Sequence, residues 1–214
     1  MFMEVGANVE KTSPENLILE YGPNILNMAK IQRMPIVRFK RLESFQKATG
    51  RNRMLIGSSQ GPALLSIPIL GGRSHHQRYG ETRVDHRLPW KRQHLGAFKS
   101  NYGKSPYWGH YSDRLYALYE PDFSLLFDWN LHVLAFFVRL LCPETTISDD
   151  LEFPQSPINP LQNSQPDSGI VLPRYYQVFE QKTGFLSNLS VIDLLLNVGH
   201  PCARLYLENL TQPN

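Results

Sequence analysis

The longest apolar run in the chain, LLFDWNLHVLAFFVRLL over residues 125–141, limits the fold more than any other segment. Asp128, Asn130, His132 and Arg139 interrupt it, and a bilayer would penalise each of those polar groups. The run therefore reads as a buried helix. A chain of 214 residues can close one good core around it, whereas two large cores would strain that length. One domain over 1–214 is expected. Hydrophobic residues at 42% and charged residues at 19% sit near the globular average, which excludes a disordered chain or a fibre.

The opening MFMEVGANVEKTSPENL lacks the basic start and apolar run of a secretory signal, and its acids argue against a transit peptide. Cys142 and Cys202 fall in no spacing that would hold zinc and read as reduced thiols. A cytoplasmic protein without a transmembrane segment is the expectation.

Further along, Leu17–Leu19 reads as a short strand that turns at Gly22-Pro23. A helix through Ile25, Leu26, Met28, Ala29 and Ile31 follows, stopped by Pro35, and IVRF is a second strand. As a βαβ unit these strands would run parallel. RMLIG and ALLSIPIL flank the turn formers SSQGP and predict an antiparallel pair. The loop from Gly71 to about Arg83 has no periodicity. Pro89 opens a helix that puts Trp90, His94, Phe98 and Tyr102 on one stripe and stops at Gly103. Two aromatic-rich helices come next. Six prolines between Pro143 and Pro173 predict an insertion, a lid or, as its polar and acidic composition favours, a disordered stretch. Ser190 with Asp193 resembles a capping box for a last helix ending at Gly199. The fold class expected is α/β: a mixed sheet with an N-terminal strand-helix-strand unit and a mainly helical second half.

Charge is uneven. Lys30 to Lys104 carries 16 Lys/Arg against Glu43, Glu81 and Asp85, and the rest carries 6 against 16. Such asymmetry implies an anionic partner, a neutralising embrace between halves, or ordinary surface pairing. If Arg51-Asn52-Arg53 is strand, both guanidiniums share a face and could grip one phosphate or carboxylate; the alternative is a strand edge guarded by charge. His94 shares a face with Trp90 and Phe98, so it points inward, either as a satisfied core histidine or as a general base. Lys91 and Arg92 oppose the dipole of their helix, a strain that a docked anion would relieve. His75, His76 and His86 lack the spacing of a metal site, and none is expected. No GxSxG, P-loop or GxGxxG is present.

Five segments occur in an order that resembles the WbqC-like family: YGPN (21–24), SFQKATGRNR (44–53), QGPALLSIPIL (60–70), RVDHRLPWKRQHLGAFKSNYGKSPYW (83–108) and GFLSNLSVIDLLLNVG (184–199). The resemblance implies a role in O-antigen or other surface polysaccharide synthesis, as an acyl- or aminoacyl-transferase, glycine-transferase-like, acting on an amino-sugar nucleotide or lipid-linked saccharide. Carried over by motif, His94 and Asp85 would be catalytic, the acid orienting the imidazole. Tyr21, Pro23, Gln46, Lys47, Arg51, Asn52, Arg53, Trp90, Ser100 and Tyr102 would bind substrate. Arg51 and Arg53 would hold a diphosphate or phosphopantetheine arm. No tightly bound cofactor is implied; the donor would be a phosphorylated sugar or an acyl group, phosphopantetheine-linked and delivered by an acidic acyl carrier protein. The alternative is a noncatalytic binding or scaffold protein of a polysaccharide-biosynthesis complex. Nucleic acid is not expected, since no recognised binding module is present. The chain departs from the family pattern at Lys40 and Arg41, at Met54 and at Leu95.

Overall fold

The structure, a computed structural model, describes residues 17–71, 77–148 and 172–210. Asn24 starts α1 (Ile25–Gln32) by accepting from the Asn27 N–H at 2.8 Å, and the buried Ile25, Met28, Ala29 and Ile31 line one side. β1 (Ile36–Arg38) follows. β2 (Arg53–Ser58) and β3 (Gly61–Ser66) form an antiparallel hairpin in the register Arg53 to Ser66 through Ser58 to Gly61. Met54 and Ile56 point into the core while Leu55 faces out, the alternation that a half-buried strand imposes.

After a single 3-10 turn (Tyr79–Glu81), α2 (Trp90–Tyr102) buries Trp90, His94, Phe98 and Tyr102, the stripe its four-residue spacing predicts. α3 (Trp108–Tyr119) and α4 (Leu126–Leu141) complete the helical centre. Trp129 of α4 is 1% exposed and meets Trp90 edge-on at 5.1 Å between ring centroids, with Tyr119 at 5.2 Å. Such edge-to-face pairs lock ring orientation beyond what area burial does. β4 (Thr146–Ser148), the short α5 (Glu180–Thr183) and α6 (Val191–Asn209) end the described chain. α6 packs on α1, α4 and β2, with Leu194, Leu195 and Leu196 all fully buried.

The mixed α/β class, the hairpin and the helices match the sequence expectation, with four local corrections. Leu17–Leu19 joins no ladder; the parallel partner of β1 is β4, from Ile36 opposite Thr146 to Arg38 opposite Ser148. Parallel and antiparallel pairings both occur, in separate two-stranded sheets. β4 lies inside the proline-rich stretch, whose residues 149–171 are outside the described residues, as are His75 and His76. Gly199 does not end α6 but breaks it. Its φ of 76° and ψ of 163° interrupt the helix, which resumes through Pro201, a residue suited to a first turn. The Tyr111 hydroxyl accepts from the His200 N–H at 3.0 Å at the break. Among the described residues, no helix is long and apolar enough to cross a membrane.

Candidate active site

The two arginines that the sequence places together fall in different elements. β2 begins at Arg53, whereas Arg51 and Asn52 lie in the preceding turn. Arg51 is 4% exposed, donates to the Glu43 carboxylate at 2.7 Å and lies over the Tyr79 ring. Its charge is thus balanced inside the protein, and it does not share a strand face with Arg53 as an open clamp. Asn52 fastens the turn by donating to the Ile67 carbonyl and accepting from the Ala48 N–H. Pro23 supports α6 through its carbonyl, which accepts from Val191. Gln46 is half-buried, while Lys47 and Ser100 are exposed. Ser100 and Tyr102 therefore occupy different faces of α2. Lys91 pairs with Asp122, which relieves part of the unfavourable charge in the first turn of α2.

His94 has a fixed environment. Its Nδ1 lies 2.7 Å from the Tyr21 hydroxyl, and Tyr21 in turn contacts the Tyr119 hydroxyl. The imidazole and the two hydroxyls form one buried chain of hydrogen bonds whose direction follows the ring tautomer. Asp85 does not orient the imidazole. The Asp85 carboxylate takes the Nε and Nη2 of Arg87 at 2.8 and 2.7 Å, and these hydrogen bonds hold its pKa below the usual carboxylate range. His94 is 4% exposed, and neither cleft described for the chain is lined by it. Asp85 and His94 thus have different partners, and the proposed orientation of the imidazole by Asp85 is not the arrangement the fold makes.

Burial lowers the His94 pKa from 6.5 to about 4. The unfolded chain therefore takes up this proton at a higher pH than the folded one. The stability from the neutral ring is complete above pH 6.5 and is lost as the pH falls toward 4, a contribution of roughly 3 kcal/mol. Urea unfolding from pH 7 to pH 4 should show this loss in the parent and a shallower slope in His94→Gln. Equal slopes would contradict the assignment.

The stripe on α2 ends at a second polar centre. Asp193, in the first turn of α6, is 2% exposed, and its Oδ2 accepts from the Tyr102 hydroxyl at 2.6 Å. Its Oδ1 accepts from Tyr175 at 2.7 Å, from Asn197 at 3.2 Å and from Gln177 at 3.3 Å. Gly57 of β2 permits this approach, because a Cβ there would stand 2.8 Å from Oδ2. Burial raises the Asp193 pKa, and the hydrogen bonds from Tyr102, Tyr175 and Asn197 oppose the rise. Burial, with the Asp193 charge second, drives both tyrosines well above their ordinary pKa, so they remain donors. Asp193 is a carboxylate surrounded by donors, able to accept a proton.

A narrow cleft lined by Gly57, Tyr102, Gln177, Phe179, Leu186 and Asp193 reaches this centre. Its volume of about 10 Å³ is room for about one water. Sequence reasoning singled out Tyr102 but took Asp193 for a capping residue. A usable signal was present: Asp193 and Asn197 are two polar residues four apart, on one face of the apolar run VIDLLLNV. Tyr175 and Gln177, two apart in an extended segment, reach the same carboxylate. Among the described residues, no group of three or more His, Cys, Asp or Glu is placed to hold a metal.

The fold and this centre define a mixed α/β domain with a tyrosine-bound buried carboxylate at a helix–strand junction. The chain belongs to the WbqC-like protein family, whose model matches residues 26–163. The family is associated with polysaccharide and O-antigen genes. Tyr21, Tyr175 and Asp193 lie outside the matched range. No curated protein and no solved structure matches the chain.

Proposed function

We propose that the protein transfers an acyl or aminoacyl group, in a glycine-transferase-like reaction, to the amine of an amino-sugar nucleotide or lipid-linked saccharide in surface polysaccharide synthesis. Asp193 serves as proton acceptor in place of His94. The observation that carries this reading is the buried Asp193 carboxylate at the floor of a cleft, with its pKa raised and only donors around it. In the reaction, the amine nitrogen bonds to the acyl carbon of a phosphopantetheine thioester and its proton passes to Asp193. The carbon–sulfur bond breaks, and the departing thiolate takes that proton back from Asp193, which regenerates the carboxylate. The exposed cations Lys47, Arg92 and Lys99 supply positive charge for an acidic carrier protein or a phosphorylated donor. Substrate entry requires the segment around Phe179 and Leu186 to move away from Gly57, since the cleft admits about one water.

The test incubates the full chain with aminoacyl- and acyl-phosphopantetheine thioesters and a nucleotide-linked amino sugar, and reads amide formation by mass spectrometry. An amide adduct that depends on protein is expected. Binding of the sugar nucleotide without any adduct would overturn the reading. It would favour the noncatalytic binding or scaffold role that the closed cleft also suits.

A further inference from the structure

We propose that a second cleft, formed by the C-terminal ends of α1 and α4 and the last turns of α6, binds a small zwitterion: one molecule carrying an ammonium and a carboxylate or phosphate. The cleft holds about 320 Å³, the lower end of the range for small-molecule pockets. Gln32, Arg33, Glu144, Arg204 and Glu208 line it above an apolar floor that includes Cys142.

The polar groups are held as a site would hold them. The Gln32 amide nitrogen donates to the Leu141 carbonyl at 3.2 Å and to the Arg204 carbonyl at 3.3 Å. This pins the side chain and leaves its Oε1 buried without a hydrogen-bond partner among the described residues. A buried acceptor in that condition is destabilising until a donor arrives, and a ligand ammonium is such a donor. Arg204 holds Glu208 through Nε at 3.1 Å. Arg33 and Glu144 are exposed, and among the described residues neither side chain has an ion pair. Two guanidiniums and two carboxylates around one cavity discriminate by sign. A simple anion meets Glu144 and Glu208, a simple cation meets Arg33 and Arg204, and a ligand carrying both charges avoids either repulsion. Cys142 contributes shape rather than chemistry, because burial pushes its thiol up to about 12 and keeps it protonated.

This cleft lies beyond the Gly199 break from Asp193, and no residue lines both clefts. The proposal is independent of the reading of Asp193, and either can fail alone.

The test measures binding to the full chain by calorimetry. The probes are L-alanine, N-acetyl-L-alanine, which lacks the cation, L-alaninamide, which lacks the carboxylate, and glucosamine 6-phosphate. Saturable binding of L-alanine or of glucosamine 6-phosphate is expected, and which one binds identifies the source of the anion. Removing either charge from alanine should weaken its binding about tenfold or more, the loss of one charge-assisted hydrogen bond. If only the sugar phosphate binds, glucosamine and glucose 6-phosphate are the corresponding single-charge controls. Arg33→Gln and Glu144→Gln, both at exposed positions, should each weaken binding about fivefold or more without shifting the thermal midpoint. The proposal is overturned if neither zwitterion binds, if the single-charge analogues bind as well, or if both variants bind as the parent does.

Discussion

Asp193→Ala should destabilise the protein by roughly 3–5 kcal/mol, read as a fall in the urea midpoint at constant slope. The carboxylate accepts from Tyr102, Tyr175, Gln177 and Asn197. Alanine would leave the two buried tyrosine hydroxyls without their acceptor, while Gln177 and Asn197 keep the Leu186 carbonyl and the backbone carbonyl of residue 193. The loss would spread across the fold, because Tyr102 ends α2, Tyr175 precedes α5, and Gly57 belongs to the hairpin. Asp193→Asn keeps the shape and one acceptor oxygen, so it should cost about half as much, near 2 kcal/mol. A loss under about 1 kcal/mol for alanine would mean that the donors find other partners and that the centre does not join the three elements.

Gly199→Ala is the second large effect, expected at about 3–5 kcal/mol from two sources that act together. The glycine has a φ of 76° with a ψ of 163°, a region that residues with a Cβ essentially do not occupy. A Cβ would also stand 2.5 Å from Tyr107 Cε1 and 2.7 Å from its Cζ. The Tyr107 backbone is held by its N–H bond to the Leu196 carbonyl at 3.2 Å, so relief of the clash falls to rotation of the ring. Gly96→Ala is the matched control: it lies exposed in α2 with nothing near the added atom, and should stabilise by about 0.5–1 kcal/mol through helix propensity. Thermal midpoints of the two variants should move in opposite directions. A shift of the same sign and size would remove the structural role given to the break in α6.

Elements governed by their own periodicity were legible in the sequence. The α2 stripe, the apolar α4 and the β2–β3 hairpin are fixed by local spacing. β4 was not legible: three residues in a proline-rich stretch pair with a strand more than a hundred positions earlier, and nothing nearby announces it. Arg51 looked like an outward-facing cation because strand alternation was extended two residues too far. Glu43 and Tyr79, brought alongside by the fold, turn it into an internal ion pair. His94 was correctly placed inward, 4% exposed on the buried stripe of α2. Asp193 carried a local signal with two meanings, since an acid three residues after a serine caps a helix or enters a core. Only partners 91 and 18 residues away, Tyr102 and Tyr175, decide between them.

The most direct test compares acyl transfer from a phosphopantetheine thioester to an amino-sugar nucleotide by the parent, Asp193→Asn and His94→Gln, each first shown to be folded at the assay temperature by circular dichroism. The account predicts a loss of about a hundredfold or more for Asp193→Asn, the scale of a removed general base, with His94→Gln within a few-fold of the parent. Undiminished transfer by Asp193→Asn, or a deep loss in His94→Gln alone, would contradict it.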